Sequence, residues 1–164
     1  MSTLIILLVS FCIVWLLNTF VMKNYFTWSL MGRIALAVML LFTGAAHFYK
    51  AEEMIQMMPE FLPNKIQWVY FTGIVEIGAA MGLLVHRTIK WTSIALILFF
   101  LAILPANIIG ALKKVELGGM GNGPVYLYFR IPLQLFFIGW TYYFGIHRFD
   151  KHLFKLALIN PTNK

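Results

Sequence analysis

Five side chains stand out in an otherwise apolar chain because their types do chemistry: His47, Glu76, Asn107, Arg130 and Gln134. Glu76 lies near the middle of Gln67 to Leu84, a run long enough to cross a bilayer. An ionised acid at that depth costs a few kcal/mol, of order ~3 on insertion scales, so it faces the bundle interior, stays protonated or pairs with a specific partner. Gly73, Glu76 and Ala80 recur at three- and four-residue spacing with Thr72 and Ala79 beside them, which predicts a face of small residues around the acid where another helix approaches closely. The competing reading is a structural hydrogen-bonding residue that fixes helix register. His47 sits in GAAHFYK at the end of an apolar run, beside Thr43 and Gly44; it is either an interfacial residue or an inward-facing one. Arg130, Gln134, Phe137 and Thr141 form one helical stripe, and Arg130 is the natural counter-charge for Glu76, with Gln134 one turn deeper as a bridge or a direct partner. Asn107 follows Pro105, whose missing N–H frees a carbonyl one turn earlier; a kink is expected there, with Asn107 bonding the loosened backbone or a ligand.

The elements that must position these residues are membrane helices. Of the 164 residues, 61% are hydrophobic and 12% charged, and the mean hydropathy is +0.82, far above a soluble domain. The expected fold is an all-α polytopic transmembrane bundle. Its spans run over Leu4 to Val21, Trp28 to Tyr49, Gln67 to Leu84, Trp91 to Ile109 and Tyr128 to His147. The first has no small-residue cleavage site after it and is expected to remain as an uncleaved helix, in which Cys12 is apolar filling and Asn18 either lies near the interface, the favoured reading, or bonds a neighbouring helix. Ala51 to Met58 is methionine-rich and ends at the prolines of PEFLP, which predicts a surface connector or a lid with Met54, Ile55, Met57 and Met58 against the bundle mouth. Lys113 to Pro124, with GGMGNGP, reads as a surface loop; no GK[ST] ending makes it a phosphate cradle.

The net charge of +7 does not imply nucleic acid, because the basic residues are scattered singly and no aromatic-interleaved patch exists. They orient the bundle instead. Lys23, Arg33, Arg87, Lys90, Arg148, Lys151, Lys155 and Lys164 fall on one side. Lys50, Lys65, Lys113, Lys114 and Arg130 fall on the other with four glutamates, which predicts the amino terminus outside and the carboxyl tail in the cytoplasm. In that frame His47, Asn107, Arg130 and Gln134 lie toward the outer ends of their helices, with Glu76 roughly 14 Å below the start of its own at ~1.5 Å per residue. One cysteine excludes an internal disulfide or cysteine cluster, and one intramembrane histidine excludes a bis-histidine haem, so no metal set is expected.

GAAHF, MMPEFLP, TGIVEIGAAMGLL, LPANI and RIPLQLFFIGW, in this order between Ser29 and Thr141, resemble the DoxX family of small integral membrane proteins, which includes a MauE-like branch. The resemblance implies a four-helix core, here over residues 28–150, preceded by an additional transmembrane helix and linker over 1–27 and followed by a basic tail over 151–164. Its pattern carries over to His47, Pro59, Pro63, Glu76, Pro105, Asn107, Arg130, Pro132 and Gln134. It associates such proteins with quinone-dependent oxidation and redox complexes in the bacterial inner membrane, with maturation of redox proteins in the MauE-like branch, and with receptor-assembly chaperones in a distant animal branch.

Two functions follow as expectations. In the first, the chain is a subunit of a membrane redox system that binds a quinone or similar lipophilic ligand through His47, Asn107, Arg130 and Gln134, with Glu76 handling protons. In the second it is a non-enzymatic accessory or chaperone protein whose polar cluster packs the bundle or docks a partner's helix. The lipid bilayer and a membrane or redox protein are the expected partners, and quinone the one candidate ligand. The sequence decides neither catalysis nor oligomeric state.

Overall fold

The computed structural model describes residues 2–23 and 25–149, and the basic tail expected over 151–164 lies outside these residues. The described residues form an all-helical bundle: α1 (Ser2–Phe20), α2 (Trp28–Tyr49), a short α3 (Ala51–Gln56), α4 (Lys65–Gly82), α5 (Ile89–Leu112) and α6 (Leu127–Tyr142). A wide turn, Tyr143–His147, extends α6, and a 3-10 segment, Met120–Tyr126, precedes it. Three helices, α1, α2 and α5, are long and apolar enough to cross a membrane. α4 and α6 are shorter, yet Ile74 is 60% exposed and Leu135 61%, so their outward faces are as apolar as that of α5, where Leu98 is 61% exposed. A bundle that turns large apolar side chains outward on every long helix is suited to a lipid surround.

The packing falls into two helix pairs. α2 makes its most extensive contact with α4, α5 packs on α6, and the α4–α5 and α2–α6 seams are thin. α1 leans on α2, burying Leu7 within a core of Leu36, Leu40, Ala80, Leu83, Leu96, Phe100 and Phe137. The α2–α4 contact is set by two glycines. A Cβ added to Gly44 would lie 3.0 Å from the carbonyl oxygen of Gly73, and one added to Gly73 would lie 3.0 Å from that of Gly44. Each backbone therefore sits where the other's side chain would be. Gly73 also makes room for His47, whose Cβ is 2.7 Å from the added atom. The face read from Gly73, Glu76 and Ala80 is the buried face of α4, together with Val69.

The far end of the bundle is tied by backbone carbonyls. Arg33 is buried; it donates through Nη1 to the Leu83 carbonyl at 2.9 Å and through Nε to the Ser29 carbonyl at 3.2 Å. It was expected as an interfacial anchor, and its guanidinium instead turns inward and caps the C-terminus of α4, where unpaired carbonyls favour a cation. The Ser29 hydroxyl donates to the Phe144 carbonyl at 2.7 Å, and the Trp140 indole donates to the Gly32 carbonyl at 3.0 Å. Asn18, expected at the interface, is buried and holds the α1–α2 turn by exchanging hydrogen bonds with the backbone of Phe26 at 2.7 and 3.2 Å. Thr27 caps α2 by accepting from Leu30 N–H.

Pro105 lies inside α5, which runs on past it as the expected span to Ile109 requires. Two further expectations change. The 113–124 segment is not a plain surface loop: Met120 and Gly123 are buried, and Met120 packs with the following Tyr126 and with Met57, Ala111 and Val115 into a second, smaller core at the α3 end of the bundle. Gly123, at φ 70, supplies the left-handed turn this requires. Cys12 is exposed on α1 rather than buried as filling.

The glycine contact predicts that Gly73→Leu lowers stability by about 2 kcal/mol or more through overpacking. Gly78→Ala, where an added Cβ meets nothing within 4 Å, is expected to be neutral or slightly stabilising, by up to ~1 kcal/mol through helix propensity. Thermal melts of the two variants in the same detergent check the contrast.

Candidate functional site

The α2–α4 crossing brings the first two candidate residues together. His47 Nε2 lies 3.6 Å from Glu76 Oε1, an ion-pair distance, with 16% and 7% of the two side chains exposed. The other imidazole nitrogen fixes the ring. Nδ1 is 2.9 Å from the Val69 carbonyl oxygen, which can only accept, so Nδ1 carries a hydrogen and Nε2 is the nitrogen left for the carboxyl group. Thr72 Oγ1 stands 3.1 Å from the same Nδ1 and donates back to the Trp68 or Val69 carbonyl of its own helix. The pair has one obvious place for a proton, between Nε2 and Oε1.

The second pair belongs to α5 and α6. Arg130 Nη2 donates to Asn107 Oδ1 at 3.0 Å, and Asn107 Nδ2 donates to the Ile103 carbonyl at 3.1 Å. That carbonyl belongs to the turn before Asn107; the one freed by Pro105 is that of Leu101, four residues earlier, so Asn107 is not its replacement donor. Asn107 serves instead as an oriented acceptor for Arg130. Gln134 does not reach Glu76 among the described residues: its amide donates at 2.5 Å to the Phe100 carbonyl, fully buried, and so ties α6 to α5 one turn below Arg130.

The two half-networks face one another across the thin seam between helix pairs. Glu76 and Arg130 lie close enough to attract electrostatically, but no ion pair within 4.0 Å joins them among the described residues. Tyr126 is also within electrostatic reach of Arg130. Each charged group carries a sealed atom without a hydrogen-bond partner: Glu76 Oε2 on one side, Arg130 Nε on the other. Leaving a buried polar atom unpaired costs about 1 to 3 kcal/mol, more for charged groups. Ser93 Oγ, at the opposite end beneath Gly145, is the third such atom. Tyr126 gave no signal in the sequence because it falls between the 113–124 loop and the span that begins at Tyr128, while Thr72 was visible four residues before Glu76 but gave no sign of its histidine.

The methionine connector closes this end. Met57 is buried against Gly110 and Met120, Met54, Ile55 and Met58 are half-buried, and Glu52 and Glu60 face outward. Lys113 holds Glu60 at 3.2 Å, an exposed tether between the connector and the end of α5. Two grooves open on the bundle surface, and none of the five candidate residues lines either. One, of about 220 Å³, opens between α4 and α5 along Val75, Gly78, Ala79, Thr92, Ala95, Leu96 and Phe99. The other, about 400 Å³, lies between α1 and α6 along Leu4, Leu8, Tyr128, Pro132 and Phe136. Among the described residues no three His, Cys, Asp or Glu side chains cluster as a metal site.

Residues 36–145 match the family described as Domain of unknown function (DUF8561). The chain belongs to the DUF8561 family. No curated protein and no solved structure gives a significant match. The DUF8561 segment starts inside α2 and ends in the wide turn after α6, so it contains His47, Glu76, Asn107, Arg130 and Gln134 and leaves out α1 and Arg33. The polar seam is therefore part of the DUF8561 unit, whereas α1 is an addition to it.

If the half-networks sense one another, Glu76→Gln and Arg130→Gln are each destabilising and the double variant is less so than their sum, with a coupling of about 0.5 to 1 kcal/mol. A double-mutant cycle by thermal or denaturant unfolding in detergent measures it. Strict additivity would mean that the two pairs are energetically separate.

Proposed function

We propose that this chain is an integral membrane protein that binds a lipophilic ligand by its polar head in the seam between the α2–α4 and α5–α6 pairs, as a subunit of a membrane redox system, with a quinone as the leading ligand class. The observation that carries this reading is the pair of sealed, unpartnered atoms of opposite character, Glu76 Oε2 on α4 and Arg130 Nε on α6, whose side chains attract one another. A ligand carbonyl is suited to accept from the Arg130 N–H. A carboxyl group at Glu76, with His47 behind it, is suited to give or take the proton that a change in the ligand's state requires. The DoxX-like order of motifs around these residues supports the same assignment.

In this reading α1, α2, α4, α5 and α6 all cross the membrane, in a bacterial plasma membrane. The amino terminus and the Met54 to Lys65 connector are outside and the Leu84 to Lys90 turn is cytoplasmic. The exposed apolar faces of α4 and α6 support five crossings where length and hydropathy alone pick three. A second reading, a non-enzymatic accessory protein, draws on a different observation. The α1–α6 and α4–α5 grooves are apolar and open sideways, as a docking partner helix requires.

Mass spectrometry of lipids co-purified with the full chain tests the first reading. A near-stoichiometric quinone in wild type that drops severalfold in Arg130→Gln is the expected result. A preparation free of quinone but retaining a protein partner would favour the second. Orientation is checked separately in a Cys12→Ser background: Glu60→Cys is expected to react with an impermeant thiol reagent in intact cells and Arg87→Cys only after lysis.

A further inference from the structure

The charges at the seam do not balance in every protonation state, and this points to the kind of head group the site prefers. The titratable groups that face it are His47 from α2, Glu76 from α4 and Arg130 and Tyr126 from the α6 end; α5 contributes only the neutral Asn107. With Glu76 ionised and His47 neutral, Arg130 brings the sum to zero. With one proton held between His47 Nε2 and Glu76 Oε1, the sum is +1 and the positive charge rests on Arg130. The geometry provides for that proton, since Nδ1 is committed to the Val69 carbonyl and Nε2 faces the acid.

Arg130 in turn is underused. Of its five N–H donors only one, on Nη2, has a partner among the described residues, while Nε is sealed and unpaired. A guanidinium with an unused donor on Nε and another on a terminal nitrogen suits the two oxygens of an anionic group better than one carbonyl. The α4–α5 groove includes Val75 and Ala79, which share the α4 stripe next to that of Glu76, and is lined mainly by apolar side chains.

We propose that the seam binds amphiphiles with an anionic head, the head on Arg130, and that a proton on the His47–Glu76 pair accompanies the anion. The proposal rests on reading the seam as a ligand site, and extends it from neutral carbonyl heads to anionic ones. The balance is simple. An anion adding to the neutral site would leave an uncompensated negative charge in a low-dielectric region. One proton taken from water restores neutrality, and His47, the more exposed member of the pair, is its point of entry. Affinity therefore rises as pH falls, by up to about tenfold per pH unit, until the pair is fully protonated.

Decane-1-sulfonate is the probe, because its head stays ionised throughout and any pH dependence must come from the protein. Native mass spectrometry of the full chain released from detergent, titrated between about pH 6 and about pH 8.5, is expected to show saturable binding of one equivalent that weakens at least tenfold over the range. In Glu76→Gln the slope is expected to flatten, and in Arg130→Gln binding is expected to fall at least tenfold. Arg130→Lys, which keeps the charge and loses the fork, is expected to fall between, and it serves if Arg130→Gln does not fold. Binding equal to that of neutral 1-decanol, a pH-independent affinity in wild type, or an unchanged slope in Glu76→Gln would overturn the proposal. If the sulfonate fails while co-purified quinone is retained, the anionic preference alone is wrong. If neither is held, the seam is not a ligand site.

Discussion

The contact on which the rest of the bundle depends is the reciprocal approach of Gly44 and Gly73. Two helices that meet through backbone rather than side chains run close enough for residues one turn away to touch, and His47 and Glu76 are those residues. The stabilising contact and the chemical site are thus the same piece of geometry. Gly73 serves both, since it faces the Gly44 carbonyl and also leaves the volume in which His47 lies. In a lipid surround, where apolar burial supplies little drive for helices to associate, such packing and interhelical hydrogen bonds must hold α2 to α4. The Arg33 cap on Leu83 at one end and the His47 bond to Val69 at the other are placed to do so.

The second pair is held by different means. α5 and α6 meet through side-chain amides and a guanidinium: Gln134 on the Phe100 carbonyl and Arg130 on Asn107. The sealed atoms these bonds leave without a partner at the seam are one oxygen, Glu76 Oε2, and one N–H, that of Arg130 Nε. Two internally bonded halves meeting along a thin interface can change their separation slightly without breaking bonds inside either half.

Much of this was legible from residue spacing. The buried face of α4 follows from Gly73, Glu76 and Ala80 at three- and four-residue steps, and the all-helical class follows from hydropathy. What spacing cannot give is the partner across a crossing. Nothing local ties His47 to Val69 and Thr72, more than twenty positions away, or sends Gln134 to a carbonyl on α5 instead of to Glu76. Arg33 shows a limit of charge counting. A basic residue near a helix end satisfies the count whether it points to headgroups or, as here, to the carbonyls of a neighbouring helix. The buried 120–126 segment escaped notice since its glycines signal turns and say nothing about the methionines and tyrosine that fold back between them.

The wide turn at Tyr143–His147 gives the last helix two phases on one axis. A turn that takes up an additional residue rotates everything after it by about 100° relative to a regular α-helix. Before it, the inward stripe of Gln134, Phe137 and Thr141 faces the core shared with α5; after it, Phe149 swings against the His86 ring at 5.1 Å between centroids and lies 5.6 Å from the Arg33 guanidinium. A single helical wheel drawn over 127–149 would misplace one half or the other. The Phe144 carbonyl within this turn accepts from the Ser29 hydroxyl, so a change in residue number here would be felt as a twist of the chain's end relative to α2 and would leave the register at Arg130 untouched.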